Sequence, residues 1–338
     1  MTARDDASVL RAYARGVASL AGGSDVDITA LPAGERHLAA TVSWRTRDGE
    51  TTEAVVRINT IPAEKERQKA AFEGRVLAAL NGRLAPRLLH FDDAGRWTSE
   101  PGMVLSYVAG APIPSAELTD EHCRILGARL ACLHDLDVVE LGLAEEGTFE
   151  LRANLWRRVG RDLVEKFPAT DPAEAATLVE RFWRAATLAT VELLRALTVG
   201  AFDGLAPLSL LQGDLGPDNV LWNEANEPTF IDWEDARLGD PAEEVAYVLT
   251  ENRLDARRGD AFLEGYAGAL RRPVEPVLRR VAAWRSPTAV ASAGWWLDRL
   301  LRMRSDDDAT NLRYTRMVDE RLRFFEQEIA PRLAGAEA

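Results

Sequence analysis

Leu211-Gln212-Gly213-Asp214-Leu215-Gly216-Pro217-Asp218-Asn219-Val220-Leu221, followed by Phe230-Ile231-Asp232-Trp233, is the stretch on which the reading of this chain turns. Short apolar runs, Leu208–Leu211, Val220–Trp222 and Phe230–Trp233, alternate with Gly, Pro, Asn and Asp, which predicts short strands joined by loops. Asp214 and Asn219 stand five residues apart, and Asp232 comes thirteen residues after Asn219, at the end of a hairpin. Two carboxylates and an amide so placed suit phosphoryl transfer. Asp214 would orient or accept the proton of a substrate hydroxyl, while the Asn219 amide oxygen and the Asp232 carboxylate hold Mg2+ against nucleotide phosphates. The donors are hard oxygens, and no His or Cys lies nearby to suggest zinc.

Around this acidic island the pattern is helical. A helix starts at Thr119-Asp120-Glu121, which has N-cap character, and runs to Asp135. Helical periodicity also marks Leu151–Glu165, Pro172–Leu197, Asp260–Leu270 and Pro287–Arg304. Upstream the period changes to that of strands: Asp27–Leu31, then Leu38–Arg45 and Thr52–Ile58 joined by the turn-forming Asp48-Gly49. A helix over Ala63–Leu80, stopped by Asn81-Gly82, and two extended runs, Arg87–Phe91 and Met103–Tyr107, complete a small α+β unit. The turn-prone Val108-Ala109-Gly110-Ala111-Pro112 divides the chain into residues 1–107 and 108–338, with a helical insert at about 151–197.

Composition narrows the function classes. The 338 residues are 46% apolar and 28% charged, a globular balance that excludes disorder. With 41 basic and 54 acidic residues the net charge is −13, which disfavours nucleic-acid and anionic-membrane partners and suits a cationic or metal-bridged ligand. Two cysteines, Cys123 and Cys132, fall nine residues apart in one helix, too far along its axis for a disulfide. No apolar run approaches the roughly 18 residues of a membrane span, and Met1–Gly23 lacks a signal-type apolar core. The expectation is a cytoplasmic protein, monomer or homodimer.

The motif blocks Gln212-Gly213-Asp214 through Asn219, Ile231-Asp232-Trp233 and Gly239-Asp240-Pro241, in this order and spacing, resemble the signature of the aminoglycoside phosphotransferase and choline kinase superfamily. That resemblance covers about Ile28 to Trp296. It implies a bilobal, protein-kinase-like α+β fold, with a small β-rich lobe carrying one main helix and a larger, mostly helical lobe. It implies ATP or GTP as phosphoryl donor, Mg2+ and a small-molecule hydroxyl acceptor. Arg57, on the strand Ala54–Ile58, would contact the nucleotide phosphates, and Glu73 on the next helix would hold it. Pro32–His37, with Gly34, would cover the phosphates, and main-chain groups of Ser106 and Val108 would meet the adenine edge. His37 reads as loop surface.

Gln212 stands where the family usually has His, Gly216 where it often has His, and Arg57 where it more often has Lys. Gln can donate and accept as His does but carries no charge, and Arg is a bulkier planar donor. His134 reads as helix-end packing. Asp306-Asp307-Asp308 reads as solvent-facing, with recognition of substrate amines as the alternative, and most of the nine Trp as core. The acceptor expected first is an aminoglycoside or related amino-sugar antibiotic, which would make the enzyme one of antibiotic resistance. A metabolic amino alcohol, amino acid or sugar is the alternative, and a non-catalytic pseudokinase is the rival of another class.

Overall fold

The computed structural model describes residues 6–20, 22–31, 37–93, 95–98, 100–143, 176–200, 202, 208–302 and 308–331. Gly34, the expected helix 151–165, Trp156, Asp306 and Asp307 lie outside these residues.

Helix α1 (Asp6–Leu20) precedes strands β1 (Ser24–Ala30), β2 (His37–Arg45) and β3 (Thr51–Asn59), helix α2 (Glu64–Leu80), and strands β4 (Leu88–Asp92) and β5 (Gly102–Ser106). The strands form one antiparallel sheet in the order β1-β2-β3-β5-β4. Strand alternation gives the sheet two faces. Ala40, Val42, Trp44, Ala54, Val56 and Ile58 turn toward α1, where they pack against Leu10, Tyr13, Ala14 and Val17. Arg57, one residue out of phase, is thereby delivered to the opposite face, toward α2. Helix α1 was not anticipated from its sequence, although Leu10, Tyr13, Ala14 and Val17 recur at helical spacing.

The second part begins with α3 (Asp120–His134), capped by Thr119. The Thr119 hydroxyl accepts from the His122 N–H at 3.2 Å, and His122 Nδ1 accepts from the Thr119 N–H. There follow α4 (Ala176–Thr198), β6 (Ser209–Leu211), β7 (Val220–Trp222), β8 (Pro228–Phe230), β9 (Arg237–Gly239), α5 (Pro241–Glu251), α6 (Ala256–Ala269), α7 (Glu275–Arg302) and α8 (Asp308–Phe324). Helices α3 and α6 approach closely at Gly127, where any Cβ would collide with the Phe262 carbonyl. Cys123 and Cys132 both lie on α3 and are free. Strands β6 and β9 pair, as do β7 and β8, framing the two loops of the acidic island. No described helix is long and apolar enough to cross a membrane.

Two expectations are corrected. Phe230–Trp233 is not one strand: β8 ends at Phe230, and Asp232 takes a left-handed conformation (φ 56°, ψ 68°) that no strand accommodates. Pro287 does not open a helix but lies inside the 28-residue α7. Interior Pro costs about 3 kcal/mol, and here the buried face of α7, including Trp284, Val290, Ala293 and Leu297, offsets that loss by packing in the core. Helix α8, unanticipated, packs against α7.

Gly239-Asp240-Pro241 leads into α5, which opens at Pro241, and does more. Asp240 caps α5 by accepting from the Ala242 N–H at 3.1 Å. It also receives Arg280 through two bonds of 2.8 and 2.9 Å, and Trp284 Nε1 at 3.0 Å, all three side chains being buried. Every acceptor site of this carboxylate is answered, so it tolerates the interior. Removing one partner of such a buried pair costs about 3–5 kcal/mol. Arg280→Met should therefore lower stability by about that amount in a denaturant titration, far more than the same change at exposed Arg184.

Candidate active site

Four segments meet between the sheet and the helical part. Strand β3 supplies Arg57 and α2 supplies Glu73. The loop from β6 to β7 supplies Asp214 and Asn219, and the loop after β8 supplies Asp232. Arg57 Nη2 is bonded to Glu73 Oε2, and Arg57 Nη1 donates to Asp232 Oδ1 at 2.8 Å. Glu73 is 2% exposed, and burial pushes its carboxyl above the ordinary range against the pull of Arg57. One guanidinium thus ties the strand, the helix and the acidic loop together.

The two loops are stitched by Gln212, which is fully buried. Its amide nitrogen donates to the Ile231 and Asp232 carbonyls at 2.8 and 2.6 Å, and its amide oxygen accepts from the Asp214 N–H at 2.8 Å. The Ile231 N–H adds a bond to the Asn219 carbonyl at 3.0 Å. An uncharged side chain with both a donor and an acceptor is what this position uses. Gly213 has φ 95°, and any Cβ there would collide with the Asp235 carbonyl, so the turn into Asp214 requires glycine. Behind it the Gly213 N–H donates to Glu244 Oε1 at 2.6 Å. Glu244 Oε2 meets His134 Nε2 at 2.9 Å, and His134 Nδ1 meets the Tyr266 hydroxyl at 2.9 Å. His134 therefore has the packing role expected of it, as part of a buried buttress for this turn.

Asn219 Nδ2 donates to the Asp214 carbonyl at 2.7 Å and to Asp214 Oδ2 at 3.2 Å, so the donors of this amide are spent on the loop and its oxygen could serve as a metal ligand. The Asp214 carboxyl is pushed up to about 6, chiefly by burial, with Asp235, Glu251 and Asp232 adding to the rise and the Tyr247 hydroxyl opposing it.

Several site residues were not singled out from the sequence. Tyr247, on α5, donates its hydroxyl to Asp214 Oδ1. Lys69 Nζ bonds Asp235 Oδ1 at 2.8 Å. Lys69 stands one helical turn before Glu73 on α2, and that spacing was a usable signal. His37 is not loop surface: it opens β2, and its Nδ1 lies 3.3 Å from Glu234 Oε2. Ligand atoms of His37, Asp232 and Glu234 all fall within 4.8 Å of one another. Glu251, one turn after Tyr247 on the same helix, pairs with Arg321 of α8 at 2.6 Å, and its buried Oε1 has no hydrogen-bond partner among the described residues. Nothing local marks Tyr247, Glu251 or Arg321, because only the packing of α5 and α8 brings them to the site.

At the end of β5 the Ser106 N–H donates to the Arg87 carbonyl at 2.8 Å, and Val108 follows two residues beyond, half-buried.

Comparison with known proteins agrees with this architecture. Viomycin phosphotransferase of Streptomyces vinaceus is 29% identical over 188 residues, 52% of this chain and 58% of that protein, so the match spans little more than half of the curated relative. Among solved structures, a choline/ethanolamine kinase family protein from Mesorhizobium loti shares 22% identity with a TM-score of 0.64, covering 97% of this chain and 98% of its own. The macrolide 2'-phosphotransferase of Brachybacterium faecium shares 22% identity with a TM-score of 0.57, over 92% and 98% of the two chains. These likenesses bear out the kinase-like α+β fold. The phosphotransferase enzyme family model matches residues 29–284, which spans strands β2 to β9, both loops and the buttress behind them, and the chain belongs to that family.

Proposed function

We propose that this protein transfers the γ-phosphoryl group of ATP or GTP to a hydroxyl of a small, cationic acceptor, in the first instance an aminoglycoside or related amino-sugar antibiotic. One observation above all supports this reading: Asp214, Asn219, Asp232, Arg57 and Glu73, drawn from four separate segments, are brought to one place with their bonding mutually arranged. Retention of the whole set favours an enzyme over a pseudokinase. Residues 1–107 would form the nucleotide lobe and 108–338 the catalytic and acceptor lobe, with Gly34 over the phosphates and Ser106 and Val108 at the adenine edge.

The chemistry asked of these residues is positioning and charge neutralisation. Arg57, fixed by Glu73, binds phosphate oxygens. Asp214 takes hold of the acceptor hydroxyl proton as the oxygen attacks phosphorus. The oxygen donors of Asn219 and Asp232 are of the kind that suits Mg2+, which when bound would neutralise charge on the phosphates; Glu234 and His37 place further ligand atoms within 4.8 Å of Asp232. On the acceptor side, the Glu251 side chain is 8% exposed and carries an unanswered carboxylate oxygen one turn from Tyr247, which suits an ammonium group. The viomycin phosphotransferase relative widens the set of antibiotics worth testing. An amino alcohol such as choline or ethanolamine, an amino acid or a sugar is the alternative.

The direct test is a panel of aminoglycosides, viomycin, choline, ethanolamine and simple sugars with Mg2+ and ATP or GTP. Turnover of an antibiotic is expected, and turnover of a metabolite alone would replace the antibiotic assignment. Asp214→Asn should reduce transfer by about 10²- to 10⁴-fold. Burial raises the Asp214 carboxyl, so its ionisation opposes folding; that opposition is absent below about pH 4 and complete above about pH 6 to 7. The melting-temperature difference between Asp214→Asn and the parent should therefore shift in favour of the variant as pH rises across that window. Gln212→Leu, which cuts the stitch between the loops, should lower kcat roughly 10- to 100-fold with a smaller change in the KM for ATP. Glu251→Gln should raise the KM of a cationic acceptor about 10-fold or more and leave that of ATP unchanged.

A further inference from the structure

Both oxygens of the Asp214 carboxylate are engaged by donors of the chain itself: Oδ1 by the Tyr247 hydroxyl and Oδ2 by Asn219 Nδ2 at 3.2 Å. Asn219 belongs to the same loop, but Tyr247 comes from α5, thirty-three residues further on, and reaches the carboxylate only because α5 packs behind the loop. We infer that Tyr247 is a positioning residue that caps the proton-accepting oxygen of Asp214 until an acceptor hydroxyl takes its place, and so restrains transfer of the phosphoryl group to water. The inference rests on the reading of Asp214 as the group that receives the proton.

The physical argument is a competition for one oxygen. A water molecule that would use Asp214 must displace a donor already held beside it, and it brings no other contacts to compensate. An acceptor brings the binding energy of its whole surface, part of which can be spent on moving the phenol aside. The cap is dependable as a donor, because burial and the charges of Glu251 and Asp214 hold the phenol well above its ordinary range and keep it protonated. It is also firmly placed. Helix α5 is capped at its start by Asp240, which Arg280 and Trp284 hold in turn, and is tied near its end by the Glu251–Arg321 ion pair. The side reaction at issue is hydrolysis. A bond forms from the water oxygen to the γ-phosphorus, the bond to the bridging oxygen of the leaving diphosphate breaks, and the water proton passes to Asp214 and then to solvent. ADP, phosphate and a proton result.

The test compares ADP release from Mg·ATP, with no acceptor added, by the full-length parent, Tyr247→Phe, Asp214→Asn and the double variant. Loss of one hydrogen bond of ordinary net strength corresponds to about a 2- to 10-fold change, and Tyr247→Phe should raise acceptor-free ADP release by that factor. The gain should vanish in Tyr247→Phe/Asp214→Asn. With an acceptor identified from the panel, Tyr247→Phe should lower the acceptor KM, since no phenol has to be displaced, while the KM for ATP holds. Tyr247→Leu guards against a packing artefact: a purely structural role predicts that it loses hydrolysis further, whereas capping predicts the same rise as for Phe. If Asp214→Asn lowers ADP release but neither Tyr247 variant raises it, the cap is overturned and the reading of Asp214 stands. If Asp214→Asn changes neither hydrolysis nor transfer, both fall together.

Discussion

A guanidinium that is almost wholly withdrawn from water must have its charge answered on the spot, and the architecture of this protein follows from how Arg57 meets that condition. Strand alternation sends Arg57 to the face opposite the α1 core. There one partner, Glu73, comes from α2 and the other, Asp232, from a loop 175 residues away in sequence. The sheet, the helix and the helical part are thus brought to one point by a single ionic requirement. Lys69 with Asp235 and His37 with Glu234 repeat the pattern along the same acidic loop. Arg57 and Lys69 are thus both held by carboxylates of the one loop, and His37 lies against a third.

Behind the cleft the helical part contains many buried polar groups, and most are fully answered. Gln212 spends its donor and acceptor groups on the two loops, and Glu244 divides its carboxylate between Gly213 and His134. Asp240 is shared by Ala242, Arg280 and Trp284. Such networks are stringent, because a half-answered member in low dielectric is costlier than an apolar one. Their effect is geometric. They fix Asp214 and Asp232 relative to one another although neither lies in a long regular element, and they permit the left-handed Asp232 and Gly213 conformations at the centre of the site. Gln212 does this with an uncharged amide that offers two N–H donors and an acceptor.

Much of the fold could be read from the chain because it rests on local rules. The five strands, α2 and α3 follow from alternation, helical spacing and stop or cap residues such as Asp48-Gly49, Asn81-Gly82 and Thr119. The misreadings share a different cause. Pro287 looks like a helix start because propensity argues against interior proline, yet the packing of α7 outweighs it. Phe230–Trp233 looks like a strand because apolar runs do, yet the loop must turn sharply there to aim Asp232.

The site divides the same way. Asp214, Asn219, Asp232, Arg57 and Glu73 could be singled out because phosphoryl transfer asks for particular residue types in a particular order, and the structure brings these five together. Tyr247, Glu251 and Arg321 were not, since a tyrosine, a glutamate and an arginine on helices signify nothing until α5 and α8 pack against the loop. By itself, then, the amino-acid order determined the fold class, the two loops and the chemistry they suit. Which donors hold the Asp214 carboxylate, which basic groups pair with the acidic loop and which acid comes to lie beside Tyr247 were decided only by tertiary packing, because each is a contact between segments whose separation in sequence carries no information about their meeting in space.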